Sequence, residues 1–228
     1  MRKTLQLSFL LGLLISTFTN AREKPSKPQI RILLLAPAGT TIEIHTMAAD
    51  SNKLTGPILV GARGVSDPVT PGERMFSLVL PDKTSESGYR SVSDVTLPAA
   101  GNDFIILLEP TGERFKSHLV SGNEPRFRND STLFFNTTDA QVGVTLGEDE
   151  IAIPPHTPVF AEAPRIGERP WYQVNLYETK EDGSRLVIAN TRWPHRKSSR
   201  CYLFLYRSES SGRVSYQTVD ESIAPVEK

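Results

Sequence analysis

The chain has 228 residues, equal numbers of basic and acidic side chains (26 each) and a single cysteine. A protein of this size can bury a hydrophobic core, either as one large domain or as two smaller ones. Its net charge of zero produces no overall field that would attract nucleic acid or an anionic membrane. The lone Cys201 excludes an internal disulfide, so apolar packing must stabilise the fold.

The first 21 residues have the pattern of a cleavable secretory signal. Two basic residues precede an apolar run over residues 5–18, and the small residues Thr-Asn-Ala follow at 19–21. The run is too short to span a bilayer, which takes about 20 helical residues. The alternative is a buried N-terminal helix, but the next residues, 22–28, are charged and contain prolines. We therefore predict a signal peptide over 1–21, a flexible linker over 22–28, and an exported, periplasmic or extracellular protein that does not span a membrane.

Short runs rich in β-branched and aromatic residues dominate the sequence after residue 28, separated by turns that contain glycine or proline. Almost no segment has the 3.6-residue apolar period of an amphipathic helix. The pattern predicts an all-β fold. The predicted strands cover residues 30–35, 41–47, 58–60, 75–80, 89–97, 104–108, 115–120, 132–135, 141–146, 150–153, 158–161, 171–177, 185–193, 201–206 and 214–219.

Two parts of the sequence echo each other about 96 positions apart. The similar pairs of segments are 76–80 with 172–176, 92–98 with 188–194, and 104–108 with 201–205. We therefore predict two tandem antiparallel β-sandwich domains of the immunoglobulin-like or Greek-key type. They would cover residues 29–121 and 126–220, with few contacts across the polar seam between them and a flexible tail over 221–228. The alternative is one fused sandwich.

Candidate catalytic and metal-binding residues do not form a recognisable motif. None of the four histidines lies at the spacing of metal ligands, and none is adjacent to Cys201. Cys201 lies in an apolar run, which favours a buried and inert thiol. The sequence thus predicts no catalytic residues, no metal site and no cofactor.

The strand that begins at Trp171 is the first candidate binding surface. Period-two alternation turns every second residue toward the core. The other face then carries two aromatic and two amide side chains, which are Trp171, Gln173, Asn175 and Tyr177. Rings that stack on sugars and amides that bond hydroxyls would suit a polysaccharide. The alternative is that the rings cover the contact between the domains or the edge of a core.

The basic segment 192–200 is the second candidate. It contains no acid and five groups that are or can become cationic: Arg192, His195, Arg196, Lys197 and Arg200. The aligned segment of the first half, 98–103, has no cation. A loop that projects into water would form a positive patch for an anionic polymer. The alternative is an ordinary solvated loop. Trp193, within the segment, is predicted to belong to the core.

These features favour a non-catalytic binding or scaffold module of the periplasm or cell surface. Its partner would be an anionic polymer, a polysaccharide or an envelope protein, and not nucleic acid. The alternative is a hydrolase or accessory enzyme whose site is assembled from loops at one end of a sandwich. A concave pocket that holds a histidine or carboxylate with a shifted pKa would favour the enzyme, whereas a flat aromatic or basic surface would favour the binding module.

Overall fold

The computed structural model describes residues 27–165, 167, 169–208 and 210–223, and the predicted signal peptide lies outside them. The first half of this part contains β1 (Gln29–Leu34), β2 (Thr41–Ala48), β3 (Leu54–Gly61), β4 (Met75–Pro81), β5 (Tyr89–Thr96), β6 (Asp103–Thr111) and β7 (Arg114–Ser121). The second half contains β8 (Ser131–Asn136), β9 (Gln141–Leu146), β10 (Asp149–Ile153), β11 (Pro158–Glu162), β12 (Trp171–Thr179), β13 (Arg185–Pro194), β14 (Ser199–Arg207) and β15 (Val214–Ser222). The predicted all-β class is confirmed. The described residues include no helix that is long and apolar enough to cross a bilayer.

The two halves share one strand order. Strands β3-β2-β4-β5 form sheet 1 and β1-β6-β7 form sheet 2, while β11-β8-β14-β15 form sheet 3 and β10-β9-β12-β13 form sheet 4. Strand β1 lies parallel to β6, and β8 lies parallel to β14. The other paired strands are antiparallel, so the predicted antiparallel sandwich is modified by one parallel pair in each half. In the second half, β11 pairs with β8. In the first half, the corresponding place beside β1 is taken by Val69, which forms a single antiparallel bridge with Ile30.

The burial of each strand explains its apolar pattern. Every residue of β8 is buried, as is the run of six residues from Arg200 to Leu205 in β14. A strand covered on both faces can carry consecutive apolar residues, as at 133–135 and 201–205, because neither face contacts water. Strand β12 instead begins with strict alternation of buried and partly exposed residues. Sheets 2 and 3 are therefore the inner layers, and sheets 1 and 4 are the outer layers.

Three hydrophobic clusters fill the spaces between the four layers. The middle cluster takes Leu33 and Leu107 from sheet 2 and Phe135 and Phe204 from sheet 3, so both halves contribute to it. The prediction of few contacts across the seam is wrong. The seam itself is polar, but sheets 2 and 3 each have a second apolar face that must also be buried.

The flexible tail predicted from residue 221 is wrong at its beginning, because β15 continues to Ser222. The side chain of Glu221 is only 18% exposed. It pairs with Arg31 and Arg200 and accepts a hydrogen bond from Tyr202. The sequence does not reveal this pairing, because the residues that bond Glu221 belong to β1 and β14.

Candidate functional site

Alternation along β12 places its side chains as predicted. The residues buried between sheets 3 and 4 are Tyr172, Val174 and Leu176. Trp171, Gln173 and Asn175 lie partly exposed on the outer face of sheet 4. The contact between the halves is made by sheets 2 and 3, so the alternative that Trp171 covers that contact is wrong.

The pairing of β12 with β13 joins two features that are separate in the sequence. Gln173 lies opposite Arg192, and Asn175 lies opposite Asn190. The Nε2 atom of Gln173 donates a hydrogen bond to Oδ1 of Asn190. The guanidinium carbon of Arg192 lies 4.3 Å from the centre of the Trp171 ring, within the range of a cation–π contact.

Arg169, in the loop before β12, approaches the same indole ring at 5.9 Å. Within the part of the chain that the structure describes, neither Arg169 nor Arg192 has a carboxylate at ion-pair distance. We define the β12–β13 face as Arg169, Trp171, Gln173, Asn175, Asn190 and Arg192.

Arg169 and Asn190 are absent from the sequence-based candidates. Arg169 lies outside the predicted strand, and Asn190 meets Asn175 only through a register that no local pattern reveals. Alternation along β13 was the one signal in the sequence that pointed to Asn190.

Tyr177 is not available on this face, which corrects its prediction as a binding residue. Its side chain is buried, and its ring lies so close to Gly143 of β9 that a Cβ there would overlap with it. The guanidinium of Arg185 covers the ring at 4.2 Å, and the hydroxyl donates to Glu150 at 2.8 Å. Burial and this hydrogen bond raise the pKa of Tyr177. A sugar therefore has no free ring surface to stack on at this position.

The basic segment does not form the predicted exposed patch. Nε of Arg196 lies 2.8 Å from Oδ1 of Asp220, and the Arg196 side chain is only 14% exposed. Nδ1 of His195 lies 2.8 Å from Oδ2 of Asp130. Both acids belong to other segments of the chain, so nothing in the sequence around the loop indicates them.

Arg200 is also neutralised, because its Nε lies 2.7 Å from Oε2 of Glu221. Its side chain is buried in the fold. Of the basic segment, Arg192 and Lys197 remain exposed and without an acidic partner among the described residues. The two lie on different elements, since Arg192 belongs to β13 and Lys197 to the turn before β14. The exposed positive charge of this segment is thus smaller than predicted, and of the two cations Arg192 is the one that contacts Trp171.

The corresponding place in the first half is acidic. Strands β4 and β5 occupy the positions that β12 and β13 have in the second half. Ser77 lies opposite Asp94 as Gln173 lies opposite Arg192. Asp94 accepts a hydrogen bond from Ser77 at 2.7 Å and pairs with Arg114 at 3.3 Å. The duplicated unit therefore carries opposite charges at one position of its two copies.

Trp193 is buried in the core between sheets 3 and 4, as predicted. Its counterpart differs from the one that the sequence echo indicates. Tyr172 pairs with Trp193 as Phe76 pairs with Val95, so Val95 and not Leu97 holds the equivalent position. The aligned segments are thus displaced by two residues in this strand.

A cleft of about 610 Å³ between the halves is a second candidate site. Arg31 lies 3.0 Å from Asp103 and also pairs with Glu221, which binds Arg200 as well. Burial acts to raise the pKa of Glu221, but hydrogen bonds from Arg200 and Tyr202 and the charges of both arginines hold it below its ordinary value. A carboxylate held in its charged form is a poor proton donor at neutral pH.

Cys201 is fully buried, and burial raises the pKa of its thiol to about 12. Only the thiolate is a good nucleophile, so this thiol is unreactive near neutral pH. Among the described residues, no group of three or more histidine, cysteine, aspartate or glutamate side chains is arranged to hold a metal ion.

No protein-family model matches the chain, and no curated protein matches it either. The crystal structure of a DUF3823 family protein from Bacteroides ovatus ATCC 8483 has 12% sequence identity to it. The match covers 75% of this chain and 100% of the other, with a TM-score of 0.21. A likeness at this level carries no functional argument, so the functional conclusion depends on the geometry of the two candidate sites.

Proposed function

We propose that this protein is an exported, non-catalytic binding or scaffold module of the periplasm or cell surface that docks its ligand on the β12–β13 face. The observation that carries the proposal is the pair of exposed guanidiniums, Arg169 and Arg192, around the Trp171 ring. A row of amides, Gln173, Asn175 and Asn190, continues the face along the sheet. Charged and amide groups on the open face of a rigid sheet suit the binding of an extended ligand.

The ion pairs of Glu221 in the cleft between the halves support a binding role and not a catalytic one. A hydrolase would need a carboxylate or histidine whose pKa is adjusted toward the working pH. The cleft does hold a carboxylate with a shifted pKa, Glu221, but the shift is downward. Two arginines use the lone pairs that a general base would offer to substrate. Glu221 therefore suits a structural role that fixes the two halves together.

Export is supported by the basic, apolar and small-residue pattern of residues 1–21. Mass spectrometry of the protein from its native cell should find a mature N-terminus at Arg22 in the periplasmic or extracellular fraction. Recovery of the chain with Met1 intact in the cytoplasm would overturn this part of the proposal.

The docking face can be tested before its ligand is identified. Asn175→Trp places a bulky ring in the middle of the β12–β13 face. Ser77→Trp is the matched control, since Ser77 lies on the outer face of sheet 1 in the first half. Both proteins and the parent would be applied to an array of purified envelope and extracellular polysaccharides, both neutral and acidic.

We expect the parent and Ser77→Trp to bind the same polysaccharides and Asn175→Trp to lose them. Circular dichroism should show the same β-sheet signal and the same thermal midpoint in all three proteins. Binding that is lost equally in both variants, or in neither, would remove the β12–β13 face as the docking site.

A further inference from the structure

We infer that the ligand of the β12–β13 face is a linear polysaccharide that carries carboxylate groups, of the polyuronate class. The inference rests on the proposed binding function of this face and adds the chemical class of its ligand. Three properties of the described residues carry it: unneutralised charge, free amide groups, and the contrast with the first half.

Among the residues that the structure describes, neither guanidinium of this face has an acidic partner. Arg169 and Arg192 both approach the Trp171 ring, at 5.9 and 4.3 Å, so two like charges lie close to one uncharged ring. The other arginine of sheet 4, Arg185, pairs with Glu150 at 2.6 Å and contributes no net charge. On a chain with zero net charge, this pair forms a local positive potential that an anion would relieve. Guanidinium groups bond carboxylates in a bidentate geometry.

The amides next to this charge supply groups of both polarities. Gln173 donates one hydrogen bond to Asn190, which leaves the Gln173 carbonyl and the Asn190 amino group for a ligand. The amide of Asn175 has no hydrogen-bond partner among the described residues. Amides that both donate and accept match hydroxyl groups, which do the same. Carboxylates and hydroxyls occur together along a polyuronate chain.

The sequence suggests that a sugar stacks on the Trp171 ring, but Arg192 already lies over that ring. A guanidinium at 4.3 Å occupies ring surface that a sugar or a nucleic-acid base would need for stacking. The ligand is therefore held through its carboxylates and hydroxyls. An extended acidic peptide would prefer a sheet edge, where its backbone can add a strand, and it offers the amides few hydroxyls.

The first half provides an internal comparison. At the position equivalent to Arg192 it carries Asp94, which is already paired with Arg114. The outer face of sheet 1 therefore lacks the free positive charge that the inference requires. Binding of the polysaccharide should depend on the second half alone.

The test is calorimetric titration of the exported protein with polygalacturonate, with the fully methyl-esterified polymer, and with poly-glutamate. The variants are Arg169→Gln, Arg192→Gln and the double variant. Arg63→Gln is the matched control, because Arg63 is exposed in the first half.

We expect polygalacturonate to bind at low salt and each single variant to weaken it by about two- to fivefold, as for an exposed charge pair. The double variant should be weaker than either, and Arg63→Gln should match the parent. Binding should disappear near 1 M salt, where the screening length is about 3 Å. Methyl esterification should weaken binding at least as much as the double variant, because it removes the anionic carboxylates.

Equal affinity for the esterified polymer, or full affinity in the double variant, would overturn the inference. Poly-glutamate that binds as well as polygalacturonate would overturn the assignment to a polysaccharide. If neutral polysaccharides bind and Asn175→Trp abolishes that binding, the β12–β13 face is the docking site but the assignment of a carboxylate-bearing ligand is wrong. If Asn175→Trp changes no binding, both the face and its ligand are wrong.

Discussion

Arg31 on the first strand and Glu221 on the last strand form an ion pair that joins the two halves of the molecule. Their side chains are 11% and 18% exposed, so water screens the pair only partly. Arg200 and Tyr202, both on β14, bond the same carboxylate. One acidic group thus connects β15 with β1 and β14, and its partner Tyr202 belongs to the shared hydrophobic cluster.

Replacing Glu221 should destabilise the protein strongly. In Glu221→Gln, Arg31 and Arg200 keep their burial but lose a charged partner, and breaking a buried pair typically costs about 3–5 kcal/mol. Urea-induced unfolding at pH 7 measures the loss. Glu162→Gln is the matched control, since Glu162 and Arg128 form an exposed pair with 49% and 64% exposed side chains. That change should cost less than about 1 kcal/mol, and equal losses in the two variants would contradict the structural role of Glu221.

The contribution of Glu221 should also depend on pH. Its pKa is lower in the fold than its ordinary value of 4.5. A group with a lowered pKa stabilises the fold above its unfolded pKa and loses that contribution as pH falls through its folded pKa. The stability difference between the parent and Glu221→Gln should therefore be constant near neutral pH and shrink below pH 4.5. Unfolding curves from pH 7 to pH 3 would test this, and a difference that grows toward pH 3 would show the opposite shift.

Core and face residues should differ sharply in their effect on stability. Ile106 and Leu205 are completely buried, and replacing either by alanine should cost about 2–5 kcal/mol. Gln173→Ala and Asn175→Ala should change the free energy of unfolding by about 0.5 kcal/mol or less, since both lie on the outer face. Chemical denaturation of the four variants compares the two classes. Similar losses in both classes would mean that β12 faces the other way.

The shared middle cluster should make the two halves unfold together. Both tryptophans of the chain, Trp171 and Trp193, lie in the second half, so fluorescence reports on that half alone. Leu78→Ala removes core volume only in the first half. It should nevertheless shift the fluorescence transition to lower denaturant, whereas Leu59→Ala, at a position that is 67% exposed, should not. An unchanged fluorescence transition beside an earlier circular-dichroism transition would mean that the halves unfold independently.

Much of the β12–β13 face could be predicted from the sequence, but the pairing of β12 with β13 that brings its residues together could not. Alternation along β12 correctly places Trp171, Gln173 and Asn175 on one face. Arg192 stands out because of its charge, yet its neighbours on the face come from the strand register and not from the basic segment. The local density of basic residues wrongly predicted that Arg196 and Arg200 carry free charge, because the two side chains pair with Asp220 and Glu221 of β15.

The sequence by itself determined the strands, the outer and inner positions of their residues, and the duplication. These depend on the period of two in a strand and on continuous apolar runs, which are local properties of the chain. Only the tertiary structure decided which charges are neutralised, which side chains share a face, and how closely the halves pack. Arg31 and Glu221 are 190 residues apart and meet in one ion pair. No local pattern encodes such a contact, because it exists only when separate sheets have been brought together by the burial of their apolar faces.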